Sequence, residues 1–304
     1  MLPTFPKFKQ VALHDRAVVE SYTGTYPPYS DFNFTSLWSW DTRNECLISD
    51  LNGNLVVRFT DDETDEPFLS FIGTNKPDET ATTLIQYATS SGISPMLRFV
   101  PEESARAVRA PALIVEEDRD NFDYICSVSE LATLRGPAFN RRRHFAARFL
   151  REHPEARFEI VNPSNETVER YILSIFHKWE VDRKFKGHKR YELQNEKLAI
   201  QRIFDATEDP TLIVSGVFID DTMCAFSIDE IIPNQYCMGH FWKADTKYTG
   251  IYEFLAQKIA LHLETAGVAF WNWEEDLGAT GLRKAKMSYR PTHFLKKYKV
   301  SLVK

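Results

Sequence analysis

The sequence predicts an α/β (α+β) protein of two tandem domains, each a mixed, mostly antiparallel sheet flanked by helices. Three observations predict it. The chain has 304 residues, 43% apolar and 26% charged, which suits one large or two ordinary globular domains and neither a disordered nor a membranous chain. Short β-type runs alternate with segments of helical period in a mixed order. Charge also divides near residue 130: residues 1–130 hold 10 Lys/Arg against 21 Asp/Glu, and residues 131–304 hold 27 against 22. That split points to an anionic ligand at the second half. The expected domains are residues 1–130, a basic connecting helix at 131–155, and residues 156–304, which carry the expected active site.

The elements follow in order. Residues 1–20 read as an irregular arm and a short helix, and 22–29, rich in Gly, Pro and Tyr, as a loop. Phe32, Phe34, Leu37, Trp38 and Trp40 crowd a helical segment at 31–41 that Ser30 or Asp31 could cap. Two β-type runs, 46–50 and 55–60, flank Asn52-Gly53-Asn54 as a hairpin. A strand at 68–72, a helix at 77–90 with Ala81, Leu84, Ile85 and Ala88 on one face, a strand at 95–100, a short helix and strands at 112–115 and 121–127 complete the first half.

From 135 to 151 there are six arginines and no acid. On a helix, Arg141, His144, Arg148 and Arg151 share one face beside Phe145 and Phe149. With Arg142 and Arg143 they form a candidate polyanion-binding stripe; the plainer reading is a solvated bridging helix. A strand at 158–161 opens the second domain. Helices at 167–179 and 192–206 flank a cationic loop at 178–190. Strands at 211–219 and 223–232 turn at Asp220-Asp221. A strand at 235–244, a helix at 250–265, a strand at 267–273 and a last strand at 294–303 complete the chain.

Residues 268–291 carry the densest chemistry. The apolar run 268–273 ends in Glu274, Glu275 and Asp276; Gly278 and Gly281 make a loop; Arg283, Lys284 and Lys286 follow on a helical turn that Pro291 stops. Acids at a strand's carboxyl end beside glycines and fixed cations suit a charged substrate. A structural clasp of paired charges would use the same residue types.

Glu275-Asp276-Leu277-Gly278, Gly281-Leu282-Arg283-Lys284-Ala285-Lys286, Tyr289 and Pro291 resemble the signature of soluble proteins grouped with the phosphatidylglycerol lysyltransferase C-terminal domain. Residues 29–41, with Tyr29-Ser30-Asp31-Phe32-Asn33-Phe34, agree with it. So do Leu131-Ala132-Thr133-Leu134-Arg135-Gly136 and Arg141-Arg142-Arg143-His144. The resemblance covers nearly the whole chain. It implies two GNAT-like (N-acetyltransferase-like) domains and an acyltransferase, with an aminoacyl group delivered on transfer RNA as the donor. The element order read for the second half is also that of a GNAT domain.

Such a domain holds its donor where a strand parts from its neighbour and a helix begins. Here that place is Lys243, Lys247, Tyr248, Thr249 and Gly250, joined by Gly278, Gly281, Arg283, Lys284 and Lys286 as donor-binding candidates. The run lacks the richer acetyl-coenzyme A fingerprint, so acyl-CoA stands beside aminoacyl-tRNA as a co-substrate and no tightly bound cofactor is expected. Glu274, Glu275 and Asp276 are candidate bases, with Asp229 and Glu230 as second choices and Tyr289 as a proton donor to the leaving group. The acceptor would be an amine or hydroxyl on a small molecule, peptide or lipid headgroup.

Other classes recede. No Ser-His-Asp or Cys-His arrangement stands out. Cys46, Cys126, Cys224 and Cys237 lack paired metal-ligand spacing and are expected reduced. No apolar run reaches the ~20 residues of a membrane span, and the opening residues lack a signal peptide's apolar core, so a cytoplasmic protein is expected. The alternative to an enzyme is a GNAT-like module that binds a nucleotide, RNA or anionic headgroup without turnover.

Overall fold

A computed structural model describes residues 1–61, 64–184, 190–206 and 209–303. Its strands are β1 (Lys9–Gln10), β2 (Leu47–Leu51), β3 (Asn54–Thr60), β4 (Pro67–Ile72), β5 (Met96–Pro101), β6 (Leu113–Glu117), β7 (Asp123–Ser127), β8 (Arg157–Val161), β9 (Leu212–Ile219), β10 (Thr222–Ile232), β11 (Tyr236–Ala244), β12 (Phe270–Asn272), β13 (His293–Leu295) and β14 (Lys297–Leu302). Its α-helices are α1 (Arg16–Thr23), α2 (Phe34–Ser39), α3 (Pro77–Ser90), α4 (Glu102–Ala107), α5 (Val128–Thr133), α6 (Asn140–Glu152), α7 (Glu166–Lys184), α8 (Arg190–Phe204), α9 (Ile251–Thr265) and α10 (Thr280–Met287). The fold is the expected α/β (α+β), with antiparallel pairing dominant.

The chain forms two units, but not as two successive stretches. The first contains Met1–Asp123, Glu275–Thr280 and Phe294–Lys304; the second contains Tyr124–Glu274 and Gly281–His293. The C-terminal strand therefore completes the first unit, where the sequence placed it in the second domain. A strand's period shows which face is apolar but not which neighbour it will pair with.

In the first unit an antiparallel sheet runs β1-β2-β3-β4, and a second sheet runs β5-β14-β6. Val300 of β14 is fully buried in a core with Val56, Leu69, Phe71, Leu84, Ile85, Leu97 and Val100. The segment at 31–41 is a 3-10 turn, Ser30–Phe32, followed by α2. Its N-cap is Asn33, whose side chain accepts from the Ser36 N–H at 2.9 Å, not Ser30 or Asp31. Ser30 and Asp31 are engaged elsewhere, with a buried lysine. Lys297 is enclosed with Asp123 at 2.8 Å, Ser30 at 2.8 Å, Glu275 at 3.4 Å and, closest, Asp31. Burial opposes the Lys297 charge, yet the three carboxylates raise its pKa well above the ordinary value. Burial in turn pushes Asp31 to about 7 against the pull of Lys297.

In the second unit one sheet runs β13-β7-β12-β11-β10-β9-β8. The β8-β9-β10-β11 meander is antiparallel, and β12 joins β11 in parallel. Ile172, Phe176, Ile200, Val217, Phe226, Phe241, Phe254 and Ile259 are among its buried residues. The α7 and α8 pair, the meander, α9, β12 and α10 appear in the order expected of a GNAT domain.

Candidate functional site

The site grows from two irregularities in the sheet of the second unit. β12 pairs with β11 at three positions only, Tyr236/Phe270, Cys237/Trp271 and Met238/Asn272, while β11 continues to Ala244. The two strands part there. On the other side of β11, the register with β10 shifts between Ile228 and Asp229, and such a bulge re-aims side chains.

Asp229 is fully buried. Its carboxylate accepts from Trp271 Nε1 at 3.1 Å, from Trp242 Nε1 at 3.5 Å and from Ser227 Oγ. Burial pushes Asp229 up to about 7, against the opposing effect of these hydrogen bonds. Gly239 makes the arrangement possible, since a Cβ there would lie 2.9 Å from Trp271 Nε1 and 3.3 Å from Asp229 Oδ1.

His240 is enclosed between two carboxylates, with Nε2 3.3 Å from Glu230 Oε2 and Nδ1 3.4 Å from Glu274 Oε1. Burial alone would lower its pKa; the two glutamates overcome that and raise it to about 9. The ring is an imidazolium at neutral pH. Glu274 is the more open end of this line, with 17% of its side chain exposed against 1% for Glu230. It adopts φ 56°, a left-handed conformation costly for a non-glycine residue. Its N–H donates to Asn272 Oδ1 at 2.7 Å, and its carbonyl accepts from the Tyr124 N–H at 3.2 Å.

An aromatic wall adjoins the cluster. The Trp273 ring lies 4.7 Å from Trp242, 5.4 Å from Trp271 and 4.7 Å from Tyr289, centroid to centroid. Trp242 and Trp271 donate to Asp229, whereas the buried Trp273 Nε1 has no hydrogen-bond partner among the described residues. Tyr289 is buried beneath the Arg142 guanidinium, 3.9 Å from its ring centre. Burial raises the Tyr289 phenol well above its ordinary range, against the Arg142 charge, so it keeps its proton.

The residues expected from the sequence divide among several settings. Glu274 joins the histidine line. Glu275 and Asp276 belong to the first unit. Glu275 accepts from Ser30 Oγ at 2.9 Å and faces Lys297. Asp276 is fully buried, 3.4 Å from Arg119, and accepts from the Gly278 N–H at 2.9 Å. That is a loop clasp, where a base had been expected. Gly278 has φ 72°, as its tight turn requires, and a Cβ on Gly281 would meet no atom of the described residues within 4 Å. Lys286 donates to the Trp273 carbonyl. Arg283 is half-buried and Lys284 exposed.

At the start of α9, Gly250 has φ 89°, and a Cβ there would lie 2.2 Å from the Phe145 carbonyl. The close approach that the glycine permits is to α6, where a phosphate had been expected. Lys243 pairs with Glu196 at 2.5 Å above the Trp179 ring. Lys247 pairs with Asp245 at 3.3 Å and lies over Tyr248, which packs edge-on to His153. Thr249 is half-buried.

Along α6, Arg142 turns inward to Glu253 at 2.5 Å. Arg143 bonds the Leu134 and Gly136 carbonyls and the Asn140 side chain. Arg148 pairs with Glu152 at 2.7 Å. Arg141, His144 and Arg151 are exposed. Of the cationic loop expected at 178–190, residues 178–184 instead continue α7 and Arg190 begins α8, while residues 185–189 lie outside the described residues.

A family model described as "Phosphatidylglycerol lysyltransferase, C-terminal" matches residues 24–301. A conserved protein of unknown function from Bacteroides thetaiotaomicron is similar in structure, with 25% identity, TM-score 0.83 and 100% of each chain covered. L-PGS from Bacillus licheniformis shares the fold at 12% identity and TM-score 0.66, over 97% of this chain and 93% of that one. So does the C-terminal domain named for a lysylphosphatidylglycerol synthetase of Agrobacterium fabrum, at 13% identity and TM-score 0.64, over 94% and 91%. An uncharacterised protein of Mycoplasmoides gallisepticum is 21% identical over 192 residues, 62% of this chain. The match spans 58% of the length of that curated relative.

Proposed function

The chain belongs to the phosphatidylglycerol lysyltransferase C-terminal family, and from that premise we propose that its second unit is an acyltransferase that moves an aminoacyl group from aminoacyl-tRNA to an amine or hydroxyl. The observation that carries this reading is the Glu230–His240–Glu274 line where β11 and β12 part. A charged imidazole, backed by one buried carboxylate, fixes a second carboxylate at the more open end. That second carboxylate, Glu274, is the base.

The acceptor's lone pair forms a new bond to the acyl carbon. The ester bond to the ribose oxygen breaks. The proton leaving the acceptor passes to Glu274 and then to the departing ribose oxygen, so no oxidant, metal or covalent enzyme intermediate is required. An ester donor with a good leaving oxygen suits a weak base. The exposed Arg141, His144 and Arg151 on α6 are the proposed phosphate contacts, and an aminoacyl-tRNA donor would locate the reaction in the cytoplasm. Among the described residues no helix is long and apolar enough to cross a membrane.

The test uses the full chain with each of twenty labelled aminoacyl-tRNAs, and in parallel with acetyl-CoA, against amino acids, peptides and phosphatidylglycerol vesicles. Label should leave at least one aminoacyl-tRNA for an acceptor, and Glu274→Gln should slow that transfer sharply. Label leaving acetyl-CoA alone would replace the donor. Specific tRNA binding without transfer would turn the reading to a binding module.

A further inference from the structure

We propose that the indole N–H of Trp273 is the donor that receives the acyl carbonyl oxygen during transfer, an inference that rests on the acyltransferase reading above. Three tryptophans stand together on β11 and the end of β12. Trp271 and Trp242 both direct their N–H groups to Asp229 Oδ1, at 3.1 and 3.5 Å. Trp273 is only 7% exposed, and its Nε1 is buried without an acceptor among the described residues. Buried donors are almost always satisfied in native proteins, and an exception asks for an explanation such as a ligand.

Position supplies the explanation. Trp273 is the residue after β12 ends and the residue before Glu274, the proposed base. Trp242, Trp271 and Tyr289 hold its ring on several sides, and its carbonyl is tied to Lys286. A fixed donor on the residue that precedes the base in the chain matches what acyl transfer needs. The carbonyl oxygen gains negative charge as the acceptor adds, so a pre-aimed N–H binds the tetrahedral state more strongly than the ground state. An indole N–H suits this task because it donates and cannot accept. It leaves the Glu274 proton transfer unchanged: the C–O π electrons move onto the oxygen held by Trp273 and return as the ribose oxygen leaves.

The experiment combines one spectrum and two variants of the full chain. The six tryptophans give up to six 15N-indole signals, and Trp273→Phe identifies the one from Trp273. The probe is a pool of twenty 3′-amide-linked aminoacyl-adenosines, which keep the carbonyl but cannot transfer it. The expected result is a downfield shift of the Trp273 indole proton on adding the pool. Trp273→Phe should then lower kcat by roughly 10²–10³-fold, the loss typical of one oxyanion donor, with KM nearly unchanged. Its melting temperature should also fall, because phenylalanine fills less of the space between Trp242, Trp271 and Tyr289. The second variant replaces Trp273 with benzothienylalanine, which keeps the two-ring shape and removes only the N–H, and so separates lost donation from lost packing.

If the pool shifts other signals but not Trp273, or if the benzothienyl variant transfers at the parental rate, the inference is overturned and the acyltransferase reading stands. If the benzothienyl variant melts far below the parent, the N–H has a structural partner and the inference again fails. If the pool shifts nothing and no aminoacyl group is transferred, the underlying reading fails and takes this inference with it.

Discussion

Glu274 holds φ 56° with its carboxylate on a charged imidazole, while Asp276, two positions on, is sealed against Arg119 and its own loop. The two acids should respond differently to the same change. Asp276→Asn keeps the shape but weakens a buried, charge-assisted set of bonds, and should lower stability by about 1–3 kcal/mol, read by denaturant melts, with transfer per folded molecule retained. Glu274→Gln weakens one of the two ion pairs that hold the His240 charge, so it should lower the melting temperature modestly while the protein stays folded. A second prediction at this scale concerns pH. His240 has its folded pKa raised to about 9 from an ordinary 6.5. Its contribution to stability is therefore complete below 6.5 and is lost as pH climbs through 9. Asp229, raised by burial to about 7 from 3.8, acts in the same direction at lower pH. Melting temperature should fall between pH 6.5 and 9.5, and the fall should flatten in His240→Asn. Neither His240 nor Trp273 drew attention in the sequence, because each sits inside an apolar run whose residues are usually core. The one available signal was a histidine next to Gly239 in a strand, which pairs a titratable ring with a backbone that lets a neighbour approach.

Elements with a strong local pattern were legible. The helix expected at 77–90 is α3, the long apolar stripe at 167–179 lies within α7, and the 211–219, 223–232 and 235–244 runs are β9, β10 and β11. Their periodicity and turn residues act locally, so tertiary context had little to overrule. The run at 267–273 yielded only three strand residues, Phe270–Asn272. The Val268 N–H is taken by the Leu263 carbonyl and the Ala269 N–H by the Gln235 carbonyl, which delays the strand. The parting of β11 from β12, on which the site depends, is a pairing property that no single run displays. The basic connecting helix expected at 131–155 is instead the end of α5, a 3-10 turn at Pro137–Phe139 and α6, all within the second unit, and the arginines of α6 serve different ends. Arg142→Ala removes contacts to Glu253 and the Tyr289 ring and should lower the melting temperature. The triple variant Arg141→Ala, Arg148→Ala, Arg151→Ala should melt normally. In a filter-binding assay it should weaken tRNA binding and make it less salt-dependent. An unchanged salt slope would make these arginines ordinary solvated charges. Gly250→Ala should cost about 1–3 kcal/mol through its positive φ and the Phe145 carbonyl.

Across the whole molecule, the last strand of the chain belongs to the first unit, with Val300 in its core and Lys297 among Asp31, Asp123 and Glu275. Lys297→Met would leave those carboxylates buried without their shared cation, and should destabilise the protein by about 3–5 kcal/mol, the usual scale for breaking a buried pair. The sequence pointed to two successive domains; the return of the chain to the first unit was not legible, since it depends on which strand fills the place between β5 and β6. The central claim, that the line ending in Glu274 serves acyl transfer, is tested most directly by single-turnover rates with a labelled aminoacyl-tRNA. Wild type, Glu274→Gln and Asp276→Asn are compared with the protein in excess and folding verified for each. The account predicts that Glu274→Gln slows the chemical step by roughly 10²–10⁴-fold, the range for a positioned base, while Asp276→Asn stays near wild type. A wild-type rate in Glu274→Gln, or a selective collapse in folded Asp276→Asn, would contradict it.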